Sequence, residues 1–445
     1  IAPAAAASNN TLTAPSTVGE IIAKDAAGAI GVTSVRATNA DFSGGTTRIG
    51  VGILSTSATV GAAVTISESG IEASGIGITC ANINGTQIGG RRNLIINGAM
   101  QVAQRGTSSS AGNGYYTVDR MKFRSGGNDE TNTVSQISLS SSDTGPYQKG
   151  FRYAYRIQNG NQTSGAGASD WSQLQYHLEA QDIANSGWDY TNPNSFITLS
   201  FWIRSSVGQR FYGYMDSIDG TGQRYSFAMD GGSALSANTW RFVSIAIPGN
   251  SNLQFDNNND NGLEIKMVTF YGTDYTDNSY TMNNWAATGS NYMTDYDSTW
   301  YTTNDATWDI TGLQLEVGSQ ATPFEHCSYD DELSRCYRYY QKITGGGNCQ
   351  GVVNSAGEAA RMGFPLLKPM RAAPTVAVTG TLKCYDSTNT RDYTSTSGVY
   401  VVSNIAFDFD TSSSGASGGS TMTHGRACVL YSAADTGGFE CTSEF

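Results

Sequence analysis

The sequence predicts an all-β chain. Charged residues make up only 14% of it, against roughly 25% in an average soluble protein. Gly (52) and Tyr (24) are abundant, and short segments of alternating polarity are separated by Asn/Gly/Asp turns. The 445 residues are more than one core needs. The expected architecture runs from an intertwined N-terminal shaft (1–90) to a β-sandwich (91–327), a short linking α-helix (328–344) and a small C-terminal β-sandwich tip (345–445). With 38 acidic and 26 basic side chains the net charge is -12, which argues against a nucleic-acid groove, where a Lys/Arg stripe must neutralise phosphates.

The shaft follows from side-chain size. Of all the Phe, Tyr and Trp residues only Phe42 precedes residue 90. Small Ala, Gly, Ser and Thr side chains cannot fill a broad monomeric core, so the alternatives are disorder or several chains wound together. Val64, Ile66, Ile71, Ile76 and Ile78 recur as residues that neighbouring chains would bury, which favours the shaft. The opening IAPAAAAS lacks a basic n-region and a true h-region, so it does not read as a signal peptide. It also lacks an initiator Met, as in a processed chain or part of a longer one. No run of 18 apolar residues occurs, so no membrane-spanning helix is expected.

The sandwich follows from period-2 alternation. FITLSFWIRSS places Ile197, Leu199, Phe201 and Ile203 on one face and Thr198, Ser200, Trp202 and Arg204 on the other. WRFVSIAIPG, LEIKMVTFYG and TWDITGLQLEVG supply further strands, as two packed antiparallel sheets require.

A helix is expected next. Ser328 is a candidate N-cap with Asp331 at the capping-box position, and Asp330 to Glu332 set negative charge at its start. Leu333, Cys336, Tyr337 and Tyr340 then form one stripe for packing on the sandwich or across a trimer axis, before Gly345 to Gly347 stop the helix. Further strands, TVAVTGTLKCYDS and GVYVVSNIAFDFDT, build the tip.

Glu325, His326, Cys327 and Cys336 look like chemistry at first sight. A zinc site needs four converging ligands and a catalytic thiol needs a base in reach. A strand end, a Pro turn and a helix separate these residues, so no catalytic set is assigned. The seven Cys (Cys80, Cys327, Cys336, Cys349, Cys384, Cys428, Cys441) include no CxxC pair and read as reduced small residues.

Binding chemistry has better candidates. Sugars need flat apolar faces flanked by hydrogen-bonding side chains. Trp188, Trp202, Trp285 and Trp300 are candidate glycan platforms, with core or trimer-interface packing as the more common fate of a Trp; Trp308 reads as core. Asp256, Asn258 and Asp260 in FDNNNDNGLE raise calcium, although the spacing is not that of an EF-hand and a solvated turn is the plainer reading.

Two segments are familiar. NLIINGAMQVAQRGTS (93–108), and TGLQLEVGSQATPFEHCSYDDELSRCYRYYQK ending at Lys342, resemble bacteriophage tail fibre proteins. There an NLLxNGxFxxxQRGT opening begins a jelly-roll sandwich similar to carbohydrate-binding modules, and a QLEVGxxATPFExRSYxxELxxCxRYYxK segment ends it. WSQLQYHLEAQDI and ITLSFWIRSS sit where that family has comparable strands. FPLLKPMRAAPTVAVTG resembles a terminal fibre domain more weakly. Cys327 departs from the family's Arg.

The resemblance implies a homotrimeric, non-enzymatic virion fibre, assembled in the bacterial cytoplasm, that attaches the particle to the host through a surface glycan, lipopolysaccharide or capsule. Its other partners would be tail or baseplate proteins, with no nucleic acid and no membrane insertion. The glycan is expected at the outer loops of the tip, from about Asn348 to Phe445, with the sandwich assisting. The alternatives are a tailspike-like polysaccharide depolymerase using two carboxylates, and a purely structural head fibre or connector.

Overall fold

The alternation in FITLSFWIRS becomes a ten-residue strand on which Ile197, Leu199, Phe201 and Ile203 are all completely buried. The computed structural model describes residues 91–344, 349–354, 360–393, 399–400, 402–410, 416–432 and 437–445, together with four short strands before residue 91. The chain divides into two compact units, Ile1–Cys80 and Ala81–Phe445. In the first, β1 (Val64–Ser67) pairs with β2 (Gly70–Ala73). In the second, β3 (Asn82–Ile83) pairs with β4 (Thr86–Gln87). The rest of the expected shaft lies outside the described residues.

The sandwich is built from β5 (Ser108–Ala111), β6 (Gly114–Tyr115), β7 (Lys122–Gly126), β8 (Asn132–Ser138), β9 (Tyr153–Gln158), β10 (Trp171–Glu179), β11 (Phe196–Ser205), β12 (Tyr212–Ser217), β13 (Gln223–Ala228), β14 (Arg241–Pro248), β15 (Asn261–Tyr271), β16 (Trp285–Ala287) and β17 (Thr307–Val317). Two short helices interrupt it, α1 (Ala180–Ala184) after β10 and α2 (Thr299–Thr302) before β17. A seven-stranded sheet has the order β16-β13-β12-β15-β10-β7-β6, and a six-stranded sheet the order β14-β11-β17-β9-β8-β5. Strands after β9 alternate repeatedly between the two sheets, the jelly-roll pattern. Both inner faces feed one core, including Phe123, Leu174, Tyr176, Phe201, Ile265 and Trp308.

After the sandwich come α3 (Tyr329–Cys336), β18 (Tyr340–Thr344), β19 (Cys349–Val353), β20 (Ala360–Pro365), β21 (Thr375–Thr379), β22 (Leu382–Tyr385), β23 (Thr390–Tyr393), β24 (Val399–Tyr400), β25 (Ala406–Asp410), β26 (Ala416–Gly419), β27 (Ala427–Ser432) and β28 (Gly438–Thr442). They form a three-stranded sheet β18-β28-β21 and an eight-stranded sheet β24-β25-β20-β19-β27-β22-β23-β26. Phe364, Phe407, Phe409 and Phe439 stack at the centre of a second core. The six cysteines among the described residues are free thiols.

The expected helix is corrected at its C-terminal end. Ser328 caps it as the motif requires, accepting the Asp331 N–H at 3.1 Å and donating to the Asp331 carboxylate at 2.8 Å. The helix nevertheless stops at Cys336, with Tyr337 as its C-cap, so Tyr340 belongs to a strand. An eight-residue helix gains little from each added residue, whereas Tyr340 to Thr344 pair residue by residue with β28. Leu333 and Cys336 pack with Ile96, Val102 and Tyr339.

The two familiar segments prove to be one physical unit. Residues 92–97 follow no regular ladder, and four of their six N–H groups find partners more than 200 positions away in sequence. Leu94 N–H donates to the Leu315 carbonyl at 2.9 Å. Arg92 and Asn93 N–H donate to Glu325 Oε2 at 2.8 and 2.7 Å, and Asn97 N–H donates to Glu332 Oε1 at 2.7 Å. The Asn93 carboxamide accepts from Ile95 and Leu315 N–H and donates to the Leu313 carbonyl. Gly98 passes so close to β17 that a Cβ there would lie 2.0 Å from the Leu313 carbonyl oxygen, so only glycine fits.

Asn93→Ala should therefore strand buried donors and acceptors on both segments and lower unfolding stability by roughly 2–4 kcal/mol, read as a shifted denaturant midpoint. A midpoint unchanged from the parent chain would contradict the clamp.

Candidate functional site

In β10, the stretch WSQLQYHLE turns Leu174, Tyr176 and Leu178 into the core. The opposite face therefore carries Trp171, Gln173, Gln175 and His177. Neighbouring strands extend this outer face in register. Gln175 is opposite Lys266 of β15 and Lys122 of β7, Gln173 is opposite Arg124, and His177 is opposite Glu264. Across β12, Tyr214 is opposite Lys266, and Asp216 is opposite both Glu264 and Arg224.

Charge on this face is paired from strand to strand. Arg224 donates to both Asp216 oxygens at 2.7 and 3.0 Å, and Lys266 reaches Asp216 at 3.1 Å and Glu264 at 2.5 Å. Burial pushes the Glu264 carboxyl up, but the His177 ring and the Lys266 ammonium outweigh it and hold Glu264 well below the usual range. Burial holds His177 below the ordinary histidine value, so its ring is neutral near pH 7. Tyr214 and Tyr271 share a 2.8 Å hydroxyl contact, and Tyr271 also donates to the Gln173 side-chain Oε1.

Two features stand apart from these pairs. Gln175 is 3% exposed and its carboxamide makes no hydrogen bond to the described residues; the fully buried unbonded atoms on this face include the two His177 ring nitrogens. The Trp171 ring is half-buried and lies over Gly126, where a Cβ would stand 2.5 Å from the indole nitrogen. Glycine at 126 lets the ring lie over the strand, and the Arg124 guanidinium sits 5.4 Å from it. Trp171 and Gln175 are on one face of one strand, about 13 Å apart.

The groove on this face is flanked on two sides and nearly closed, with Gln173, Gln175, His177 and Asp216 each 4% exposed or less. On one side the β15–β17 connection brings Tyr275 and Tyr292 against Tyr271 and Tyr214. On the other, Phe445 stacks on His177 with centroids 5.6 Å apart and its carbonyl accepts from Lys122 at 2.8 Å. Glu444 is held by the buried Arg120 guanidinium, itself 3.4 Å from the Tyr339 ring. Beside it, Arg338 donates twice to Glu179 at 2.6 Å, and the Tyr339 hydroxyl donates to the same carboxylate.

The Trp expectations are largely corrected. Trp188, Trp285 and Trp300 are 3%, 6% and 0% exposed and belong to the sandwich core, so they present no face to a sugar. Trp188 lies in a loop, Trp285 begins β16 and Trp300 sits in α2, and all three rings turn inward, Trp188 and Trp285 donating to the Ser195 and Pro248 carbonyls. Trp202 is half-buried on the outer face of the six-stranded sheet, 5.4 Å from Phe242, away from the groove. Trp308 is core.

In the polar loop, the Asn258 side chain accepts the Asp260 N–H at 2.9 Å. The carbonyls of Asp260 and Asn258 accept the N–H groups of Ala180 and Gln181, and Asp256 N–H donates to Asp219. The loop serves its own backbone and the start of α1, and no group of three or more His, Cys, Asp or Glu converges among the described residues. Glu325 clamps residues 92–93, and His326 packs on Phe151 and Phe324 with its Nε2 2.8 Å from the Lys149 carbonyl. Several outer loops of the tip lie outside the described residues.

The groove residues were open to sequence reading. WSQLQYHLE alternates as cleanly as FITLSFWIRS, with polar and aromatic residues on one face, and LEIKMVTFY supplies Glu264 and Lys266 in the same phase.

No family profile and no curated protein matches the sequence. Among solved structures, the enzymatically active domain of bacteriophage CBA120 tailspike protein 4 is similar at 10% identity over 51% of this chain and 21% of that chain, with a TM-score of 0.27. The xylan-binding domain from Paenibacillus barcinonensis Xyn10C matches at 8% identity over 52% of this chain and all of its own length, TM-score 0.26. A family 11 carbohydrate-binding module from Clostridium thermocellum, in complex with a mixed-linked tetrasaccharide, matches at 14% over 49% of this chain and 98% of its own, TM-score 0.22. Likeness of this size decides neither fold nor ligand here.

The site's electrostatics predict acid sensitivity. Burial raises Glu179, but Arg338 and the Tyr339 hydroxyl outweigh it and leave the carboxyl below its ordinary 4.5; Glu264 is lowered likewise. The unfolded chain therefore takes up these protons first, so stability present above about pH 4.5 should be lost as pH falls through the lower folded values. Melting curves should show this loss, and Glu179→Gln should flatten the acid limb. An acid limb as steep in the variant would contradict it.

Proposed function

We propose that this chain is a non-enzymatic phage tail fibre subunit that attaches the virion to its host by binding a surface glycan in the groove of the seven-stranded sheet. The observation that carries the reading is the pairing on β10 of a half-buried Trp171 ring with the unbonded Gln175 carboxamide. A sugar needs an apolar platform for its C–H face and a fixed amide for its hydroxyls. Lys122 flanks Gln175 on a long flexible stem and donates to the Phe445 carbonyl, so a swing of its head uncovers the amide. The viral role rests on the two segments that resemble tail fibres. Assembly as a homotrimer would let three weak sites engage one surface together.

The depolymerase reading has one observation behind it: Asp216 and Glu264 are carboxylates side by side in the groove. A glycosidase acid must hold its proton near neutral pH, whereas Glu264 is held ionised. The groove's charge pattern therefore favours binding.

Full-length protein should bind polysaccharide from a sensitive host on an array of bacterial surface glycans. Trp171→Ala and Gln175→Ala should each weaken that binding about tenfold or more, while Trp202→Ala leaves it unchanged. Equal binding by all variants would remove the groove from the account. Steady release of new reducing ends from the same polysaccharide would replace binding with catalysis.

A further inference from the structure

Five cations, Arg91, Arg92, Arg335, Arg338 and Lys368, line a single cleft of about 670 Å³. The concentration is unexpected in a chain of net charge -12. Asp182 is the only acid among the residues lining it. The cleft lies between the clamped segment at residues 91–96, the α1 turn and the end of α3, behind the groove's supporting pair of Arg338 and Glu179.

These cations are not equally committed. Arg338 is spent on Glu179, and Arg335 reaches Glu332 at 3.4 Å and the Asn93 carbonyl at 3.4 Å. Arg92 donates from its guanidinium only to neutral oxygens, Thr322 Oγ1 at 2.8 Å and the Pro323 carbonyl at 3.3 Å. Lys368 likewise donates only to the Ser334 carbonyl and hydroxyl, at 3.0 and 3.2 Å. Arg91 is exposed and has no hydrogen bond or ion pair among the described residues. Three positive charges thus face one cleft without a carboxylate partner. Gln181 and Asn185 also line the wall, the Gln181 amide nitrogen donating to Glu179 and that of Asn185 to the Gln181 carbonyl and Asn257.

We infer that this cleft binds an anionic group of an acidic glycan, a carboxylate or a phosphate. Guanidinium and ammonium groups with only neutral acceptors gain a charge-assisted hydrogen bond when an oxyanion arrives. Like charges brought together in a partly enclosed space also focus the field that draws it in. The ligand chemistry and the place both differ from those of the groove, so either site can fail without the other.

The test titrates the full-length chain with trigalacturonate, with inorganic phosphate and with neutral maltotriose, at low and high salt. At least one anion should bind saturably and lose affinity in high salt, and which one binds identifies the carboxylate or the phosphate as the group recognised. Arg91→Gln and Lys368→Gln should each weaken it about tenfold. Arg91→Gln removes no contact among the described residues, so its fold should be intact by circular dichroism; Trp171→Ala should leave anion affinity unchanged. Saturable binding of neither anion, an affinity unchanged from the parent chain in both variants, or maltotriose binding as tightly as the anion would overturn the inference.

Discussion

Everything that positions the groove depends on satisfying the backbone of residues 92–97. This stretch enters the sandwich without a strand partner along its length, and Asn97 takes a positive φ of 63°. Unpaired buried N–H groups cost free energy comparable to a lost hydrogen bond. The chain meets most of that cost with carboxylates and a carbonyl from residues 315–332, which are therefore locked to its entry point, and the rest with the Asn93 side chain and the Tyr176 hydroxyl. Closing a loop of more than 200 residues in this way fixes where β17 ends, where α3 begins and which side chains α3 turns toward the sandwich.

From that junction the order passes to the groove through Tyr339 and Arg120. Tyr176 accepts the Ile96 N–H at 2.7 Å from the core side of β10, while Arg120 donates to the His177 carbonyl on the same strand. Arg120 also holds Glu444, which brings Phe445 over His177. The tip's last residues and the strand carrying Gln175 thus share one buried cation. Such a pair is strongly destabilising to break, because removing one partner leaves the other charge buried. The same logic assigns Asp216, Arg224 and Lys266 to the scaffold of the groove; the proposed ligand contacts, Trp171 and Gln175, take no part in that charge network.

The sequence made the strands legible wherever one face is core, because period-2 alternation is a local property: Ile197 to Ile203 is the clearest case. The Ser328 cap was equally local. Tyr340 was misread because a helical stripe and a strand start share the same apolar residues, and only the distant β28 decides between them. Trp188, Trp285 and Trp300 sit in Asn/Thr-rich stretches that read as loops, and nothing local shows that such a stretch folds its ring inward. Trp171 was passed over because its platform depends on Gly126, a residue of the neighbouring strand. The link between Glu325 and Arg92 is likewise a tertiary fact, visible in sequence only as two segments that resemble one family together.

The most direct test of the central claim is a crystal structure of the full-length chain with an oligosaccharide from a host polysaccharide that it binds. The account predicts a sugar ring stacked on Trp171 and a hydroxyl within hydrogen-bond distance of the Gln175 carboxamide. A ligand bound on the outer loops of the tip, with the groove unchanged, would contradict it.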